Sequence, residues 1–201
     1  ANSTALAAWL LAAGSFALPR LMRFWQSYVG LLRAYPLRTN VATAVVVGGC
    51  GDALAQRIEG TEIDKKRMTR VSGWGVYMGS SSVVWYKFLD RFGGGVRGVA
   101  TKVLLNQVCM APATNALFYL YAEAWKDEAG LFERYKKRME VHFLPTMQQS
   151  IIAWVPIQTL NFAIVPLVLR PLFLNVAFVL WTANLSMRGH KRLENDENFD
   201  A

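Results

Sequence analysis

Long uncharged runs alternate with short charged segments along this 201-residue chain. No Asp, Glu, Lys or Arg occurs in the runs Val103–Ala122, Val141–Leu169 and Pro171–Met187. A helix of about 20 largely apolar residues crosses the ~30 Å hydrocarbon layer of a bilayer. Several such runs, separated by short basic loops, favour membrane helices over a soluble core. The pattern predicts an all-α integral membrane protein: a bundle of four to five membrane-embedded helices with amphipathic interfacial helices, in a single membrane domain over 1–201.

Within that domain, residues 1–35 read as an N-terminal interfacial segment, 36–188 as the helical bundle and 189–201 as a polar tail. The run Ala5–Leu18 is too short for a full span. Residues 20–35 set Arg20, Arg23 and Arg33 among Leu21, Phe24, Trp25, Tyr28 and Leu32, the pattern of a basic amphipathic helix at headgroup level. Pro36 suits a helix start. The first span, Arg38–Ile58, is rich in small residues that let backbones approach closely in lipid, including Gly48, Gly49 and Gly51. After the loop Glu59–Asp64, Asp64 is placed to cap a helix. Arg67 and Arg70, three apart, share a face near the interface. The second span, Val71–Arg91, carries the small-residue pair Gly75 and Gly79 and the aromatic anchor Trp85-Tyr86. Gly93-Gly94-Gly95 makes a turn, and a third span covers Val99–Trp125, with Asn106 and Gln107 inside and a kink at Pro112. In 127–143, apolar Leu131, Phe132, Tyr135, Met139 and Phe143 follow helical spacing opposite Glu133, Lys136, Lys137 and Glu140, which predicts a helix on the membrane surface. The block Pro145–Met187 would extend about 65 Å as one helix, too long for one ordinary span. It should divide at Pro166–Pro171 into a fourth span and a fifth helix.

Composition agrees with this picture. Hydrophobic residues make up 53% and charged residues 18%, against about 25% charged in soluble domains. The net charge of +8 is spread over every loop. That spread suits anionic headgroups as partners and does not form the concentrated basic face a nucleic acid needs. Cys50 and Cys109 lie in apolar segments and read as buried free thiols, with a disulfide between spans the alternative. The chain starts at Ala1 without Met, which suggests a removed presequence and favours the mitochondrion over the peroxisome, although no charged side chain precedes Arg20.

The stretch Trp154–Ser186 carries the most chemistry. It is apolar, yet contains Gln158, Asn161, Arg170 and Asn175 and is interrupted by Pro156, Pro166 and Pro171. Lipid offers no hydrogen-bond partners, so these groups must be hidden in a packed or wet interior. Asp52 is the sharpest single residue, since a charge at mid-bilayer costs about 2.5–3.5 kcal/mol. It belongs either to an ion or metabolite path or to a strut paired with Gln56. Asp52, Gln56, Asn106, Gln107, Gln158 and Asn161 form the candidate polar core or pore; the amides either line a path or bridge helices. Arg67, Arg70 and Arg170 are the candidate lipid or anion contacts, with a carboxylate partner the alternative for Arg170. Gly48, Gly51, Gly75 and Gly79 are the candidate packing positions. No Ser–His–Asp set, metal-ligand spacing or phosphate loop is legible, and His142 and His190 lie outside the predicted spans. The expectation is a protein without catalytic residues, cofactor or metal.

Several motifs fall in a fixed order: Trp25-x-x-Tyr28, Pro36-x-x-Thr39, Gly51-Asp52-x-x-x-Gln56, Asp64-x-x-Arg67-x-x-Arg70, Gly79, and Trp85-Tyr86-x-x-Leu89-Asp90. Lys102, Gln107 and Pro112 follow, then Trp154-x-Pro156-x-Gln158-x-x-Asn161-Phe162-x-x-Val165-Pro166-x-x-x-Arg170 and Trp181 with Leu185-Ser186. Over about residues 25–188 this resembles the Mpv-seventeen family, named together with the peroxisomal membrane protein of twenty-two kilodaltons. The resemblance implies a small polytopic helical protein of the inner mitochondrial or peroxisomal membrane, from a family linked to channel-like conductance and metabolite homeostasis. Against the family pattern, Ser80 replaces a Pro, Val83 a His, Asn106 an acid and Ala163 a basic residue. Losing ionisable groups near the spans favours a structural accessory subunit of a larger inner-membrane complex, bound to lipid and other subunits. A pore or metabolite carrier, of the mitochondrial or peroxisomal membrane, is the rival.

Overall fold

The computed structural model describes residues 19–126 and 128–180, and every regular element among them is helical. The Ala5–Leu18 run, the end of the Trp154–Ser186 stretch and the acidic tail lie outside the described residues. Helix α1 covers 19–34. Its Leu32 is buried while Leu21 and Phe24 face outward, and Tyr28 Oη bonds Thr43 Oγ1 at 3.0 Å, tying α1 to the next helix. Helix α2 is Pro36–Ile58 and opens on its proline, whose missing N–H would be unbonded there in any case. Helix α3 is Lys65–Leu89, so it begins at Lys65, ahead of the span predicted from Val71. Asp64 Oδ1 caps it by accepting from the amides of Lys66 and Arg67 at 2.8 and 3.1 Å.

A 3-10 turn, Asp90–Phe92, leads into the glycine run. Gly93 and Gly95 adopt φ of 66° and 71°, a region open to glycine at no steric cost. Helix α4, Gly95–Leu105, passes through a π segment, Asn106–Met110, into α5, Ala111–Ala124. The whole is one 30-residue rod. Pro112 lacks an N–H and its ring crowds the preceding turn; where a kink was expected, the helix runs on through a π turn placed just ahead of the proline.

Helix α6 runs Leu131–Ile164, 34 residues, straight through Pro145 and Pro156. This corrects two expectations. From Leu131 on, the amphipathic segment expected over 127–143 is the first part of a longer helix rather than a separate one, and Pro156 does not interrupt the chain. The break comes at Val165 (φ −87°, ψ 125°), because a residue before proline is pushed out of the helical region. A 3-10 turn, Leu167–Leu169, follows, and α7 covers 170–180.

Helices α2 and α3 pack most extensively, and α6 packs on α4 and α5. The α2–α3 contact is close because a Cβ on Gly79 would lie 2.6 Å from Val41 Cα, and one on Gly75 2.8 Å from the Ala44 carbonyl. Gly48 meets Val71 of α3, and Gly51 meets Val179 of α7. Tyr86, Leu89 and Phe162 form a small apolar core with Val99, Val103, Leu167 and Leu174 around it.

The interior is otherwise polar. Among the described residues, twelve buried side chains are polar or charged against eight that are hydrophobic. Large apolar side chains such as Val46, Val76, Val84, Leu104, Val108, Ile152 and Ile164 point outward. Apolar surface on this scale marks contact with lipid or another protein. Cys50 and Cys109 are free and exposed, not buried as expected; Cys50 falls on the side of α2 away from the Asp52 and Gln56 stripe that meets α3. Among the described residues, one helix, Gly95–Ala124, is both long and apolar enough to cross a membrane by length and composition.

Candidate functional site

The helical phase of α2 sends Asp52 and Gln56, one turn apart, into the corner where α2 turns into α3. Asp52 is 4% exposed. Its Oδ1 accepts from Arg67 Nε at 2.9 Å and its Oδ2 from Gln56 Nε2 at 2.7 Å. Gln56 Oε1 in turn accepts from the Asp64 amide, so one side chain ties the loop to the helix it follows. The other edge of the Arg67 guanidinium makes a bidentate pair with Glu59, at 2.6 and 3.0 Å. Arg67 lies in the first turn of α3, ahead of its apolar part. The Glu59 hydrogen bond, opposed by burial and helped by the Asp52 charge, raises the Arg67 pKa above its ordinary value. Asp52 is therefore fully engaged in a helix-hairpin clamp, and Arg67 is its cation. Arg70 is not part of it, although its carbonyl accepts from Tyr121 Oη at 2.8 Å, linking α3 to α5.

The amide residues gather elsewhere. Gln158 on α6 donates to Tyr86 Oη of α3 at 3.5 Å, and Asn161 donates to Gln158 Oε1 at 3.2 Å. Asn106, in the π segment, accepts from Trp85 Nε1 at 3.0 Å. The Gln158–Tyr86 and Trp85–Asn106 bonds bridge helices, whereas Asn161–Gln158 is a contact within α6 that orients the Gln158 amide. Some hydrogen-bonding capacity is left over: both amide atoms of buried Gln107, and Oδ1 of fully buried Asn161, have no partner among the described residues.

Two further charge clusters were not legible as such. Glu123, 2% exposed at the end of α5, receives Lys126 at 2.9 Å, Arg134 at 3.2 Å and Arg138 at 2.7 Å. Arg138 also lies over the Tyr119 ring, 5.2 Å from its centroid. A shallow depression of about 350 Å³ opens beside this cluster, lined also by Lys137 and His142. The only signal in the sequence is a lone carboxylate closing the uncharged run Val103–Ala122; its partners come mostly from the next helix. The second cluster is Asp90, Lys102 and Arg170. Arg170 is 7% exposed and pairs with Asp90 Oδ1 at 3.4 Å, the same oxygen that Lys102 Nζ approaches to 3.9 Å. Arg170 has thus found a carboxylate, while Asp90 and Lys102 figured in the sequence reading only as motif landmarks. Among the described residues, no three His, Cys, Asp or Glu side chains group as metal ligands would.

Known proteins resemble this chain over most of its length. Residues 128–186 match the model of the Mpv17 / PMP22 family. Protein SYM1 of Mycosarcoma maydis is 33% identical over 153 residues, covering 73% of this chain and 76% of that protein. The mitochondrial inner membrane protein Mpv17 of Xenopus laevis is 28% identical over 83% of this chain and 97% of its own length. Peroxisomal membrane protein 2 of Bos taurus is 28% identical over 88% of this chain and 94% of its own. No solved structure matches.

Proposed function

This chain belongs to the Mpv17 / PMP22 family, and from that premise we propose that it is an integral protein of the mitochondrial inner membrane serving as a structural accessory subunit of a larger complex. The reading gives it four to five membrane-embedded helices: α2, α3, the α4–α5 rod, the second half of α6, and α7. It assigns the chain no catalytic step.

The observation that carries it is the state of Asp52. A path for ions or metabolites needs charged groups free to meet cargo, whereas this carboxylate is committed on both oxygens to Arg67 and Gln56. The outward apolar side chains add surface on which lipid or neighbouring subunits can pack. A peroxisomal membrane location, as in the name of the bovine relative, is the alternative site for the same architecture.

One observation favours the rival transport reading. Gln107 and Asn161 hold unpaired polar atoms in the interior, which a line of water or a passing solute would satisfy. Gentle extraction from the native membrane separates the two. Stable co-migration with a large complex, without conductance after reconstitution, supports the accessory role. A monomer or small homo-oligomer that conducts would sink it.

A further inference from the structure

The corner where α3 ends, α4 begins and α6 breaks into α7 holds more positive charge than it neutralises. Lys102 and Arg170 are 3% and 7% exposed, and both approach the single oxygen Asp90 Oδ1. The Asp90 side chain is itself 49% exposed, so water screens much of its charge. Arg170 has other support: its Nε donates to the Val165 carbonyl at 3.2 Å, and its guanidinium lies 5.5 Å over the Phe162 ring. Lys102 has only the 3.9 Å approach to Asp90, with no hydrogen bond among the described residues. An ammonium carries three donors and no acceptor, and burying one without a hydrogen-bonded partner is costly. The C-terminal ends of α3 and α6 supply only partial negative charge.

We propose that Lys102 and Arg170 form a binding site for a phosphate group, occupied in the membrane by the phosphate of a phospholipid headgroup. The chemistry fits: an ammonium point charge and a planar guanidinium fork together match a tetrahedral oxyanion. Helix α7 opens at Arg170, so the positive end of its dipole faces the same corner. Asp90 caps the end of α3 and opens the turn into α4, so the corner lies at one end of these helices, where a headgroup can reach it. Exposed Phe88, Phe92 and Val96 flank Asp90 along the chain and offer apolar surface to acyl chains. Asp90 holds the two cations together when the site is empty and repels the phosphate when it is filled. The inference rests on the membrane reading above, not on the accessory-subunit role.

The test uses the full chain, delipidated in mild detergent, with the thermal unfolding midpoint followed as phosphatidylglycerol is added in mixed micelles. Lipid should raise the wild-type midpoint. Lys102→Met should need about five- to tenfold more lipid for the same rise, the effect of one basic residue at an anionic surface. Asp90→Asn, which keeps the shape and removes the repelling charge, should need less lipid than wild type. Equal responses from wild type and Lys102→Met overturn the site. If Lys102→Met does not fold, an Asp90→Asn response equal to or weaker than wild type overturns it. A full rise with inorganic phosphate alone overturns the headgroup assignment in favour of free phosphate. Resistance to alkaline carbonate extraction tests the membrane reading separately, so the failure of one is not mistaken for the failure of the other.

Discussion

Asp52 and Arg67 are unequal halves of one clamp. The Asp52 side chain is 3% exposed and Arg67 31%, so removing the cation strands a buried carboxylate, whereas neutralising the carboxylate leaves an arginine still paired with Glu59. Arg67→Ala should therefore cost about 3 kcal/mol or more, and Asp52→Asn about 1–2 kcal/mol, with no change in any conductance. Thermal unfolding of the two variants in the same detergent checks this; a larger loss from Asp52→Asn would contradict the clamp. Glu123 differs, because its three cations are 20–44% exposed and can turn to water. Glu123→Gln should cost about 1–3 kcal/mol and loosen the α5–α6 corner, read as faster amide exchange in residues 128–138. At this scale the sequence showed part of the site. The Asp52–Gln56 pair was legible from i, i+4 spacing. Arg67 as its cation, 15 residues on, and the Arg134 and Arg138 grip on Glu123 depend on how helices turn back on each other, which spacing does not encode.

Among the elements, the α2–α3 pair is the most tightly specified. Gly79 leaves no room for a side chain against the α2 backbone. Gly79→Val should force the helices apart at about 1–3 kcal/mol, measurable as a lowered unfolding midpoint, while Gly60→Ala, with nothing near it but a φ of 69°, would strain only its loop. Helix starts were readable because capping and proline chemistry are local: Pro36 and Asp64 open α2 and α3 as their positions predict. Helix continuity was not. Pro145 and Pro156 look like breaks, yet α6 carries both, because neighbouring packing outweighs the loss of single backbone bonds. The break needed Val165 in an extended conformation before Pro166, and there the local rule held.

At the scale of the molecule, the described residues are turned inside out relative to a soluble domain, with a largely polar interior and large apolar side chains facing outward. Its two thiols report on that. Cys50 and Cys109 are exposed on apolar segments, so a lipid-soluble maleimide in detergent should modify both, while a charged, membrane-impermeant thiol reagent should leave both unmodified in intact membranes. Fast labelling by the charged reagent in membranes would place those faces in water. The all-helical class was legible from the long uncharged runs, since they state what the chain can sit in. The polar interior was legible only in part: Gln158 and Asn161 are a local i, i+3 pair on α6, but the meeting of Gln158 with Tyr86 and of Asn106 with Trp85 depends on how α3 packs against α6 and the π segment. That interior also fixes how the fold should respond to temperature. Soluble proteins owe their curved stability profile to apolar surface wetted on unfolding. Here the apolar surface already lies outside and would stay in lipid or detergent when the helices separate. Unfolding should carry a heat-capacity change well below the ~12–15 cal/mol/K per residue of soluble domains, giving a nearly straight decline of stability with heating and no loss on cooling.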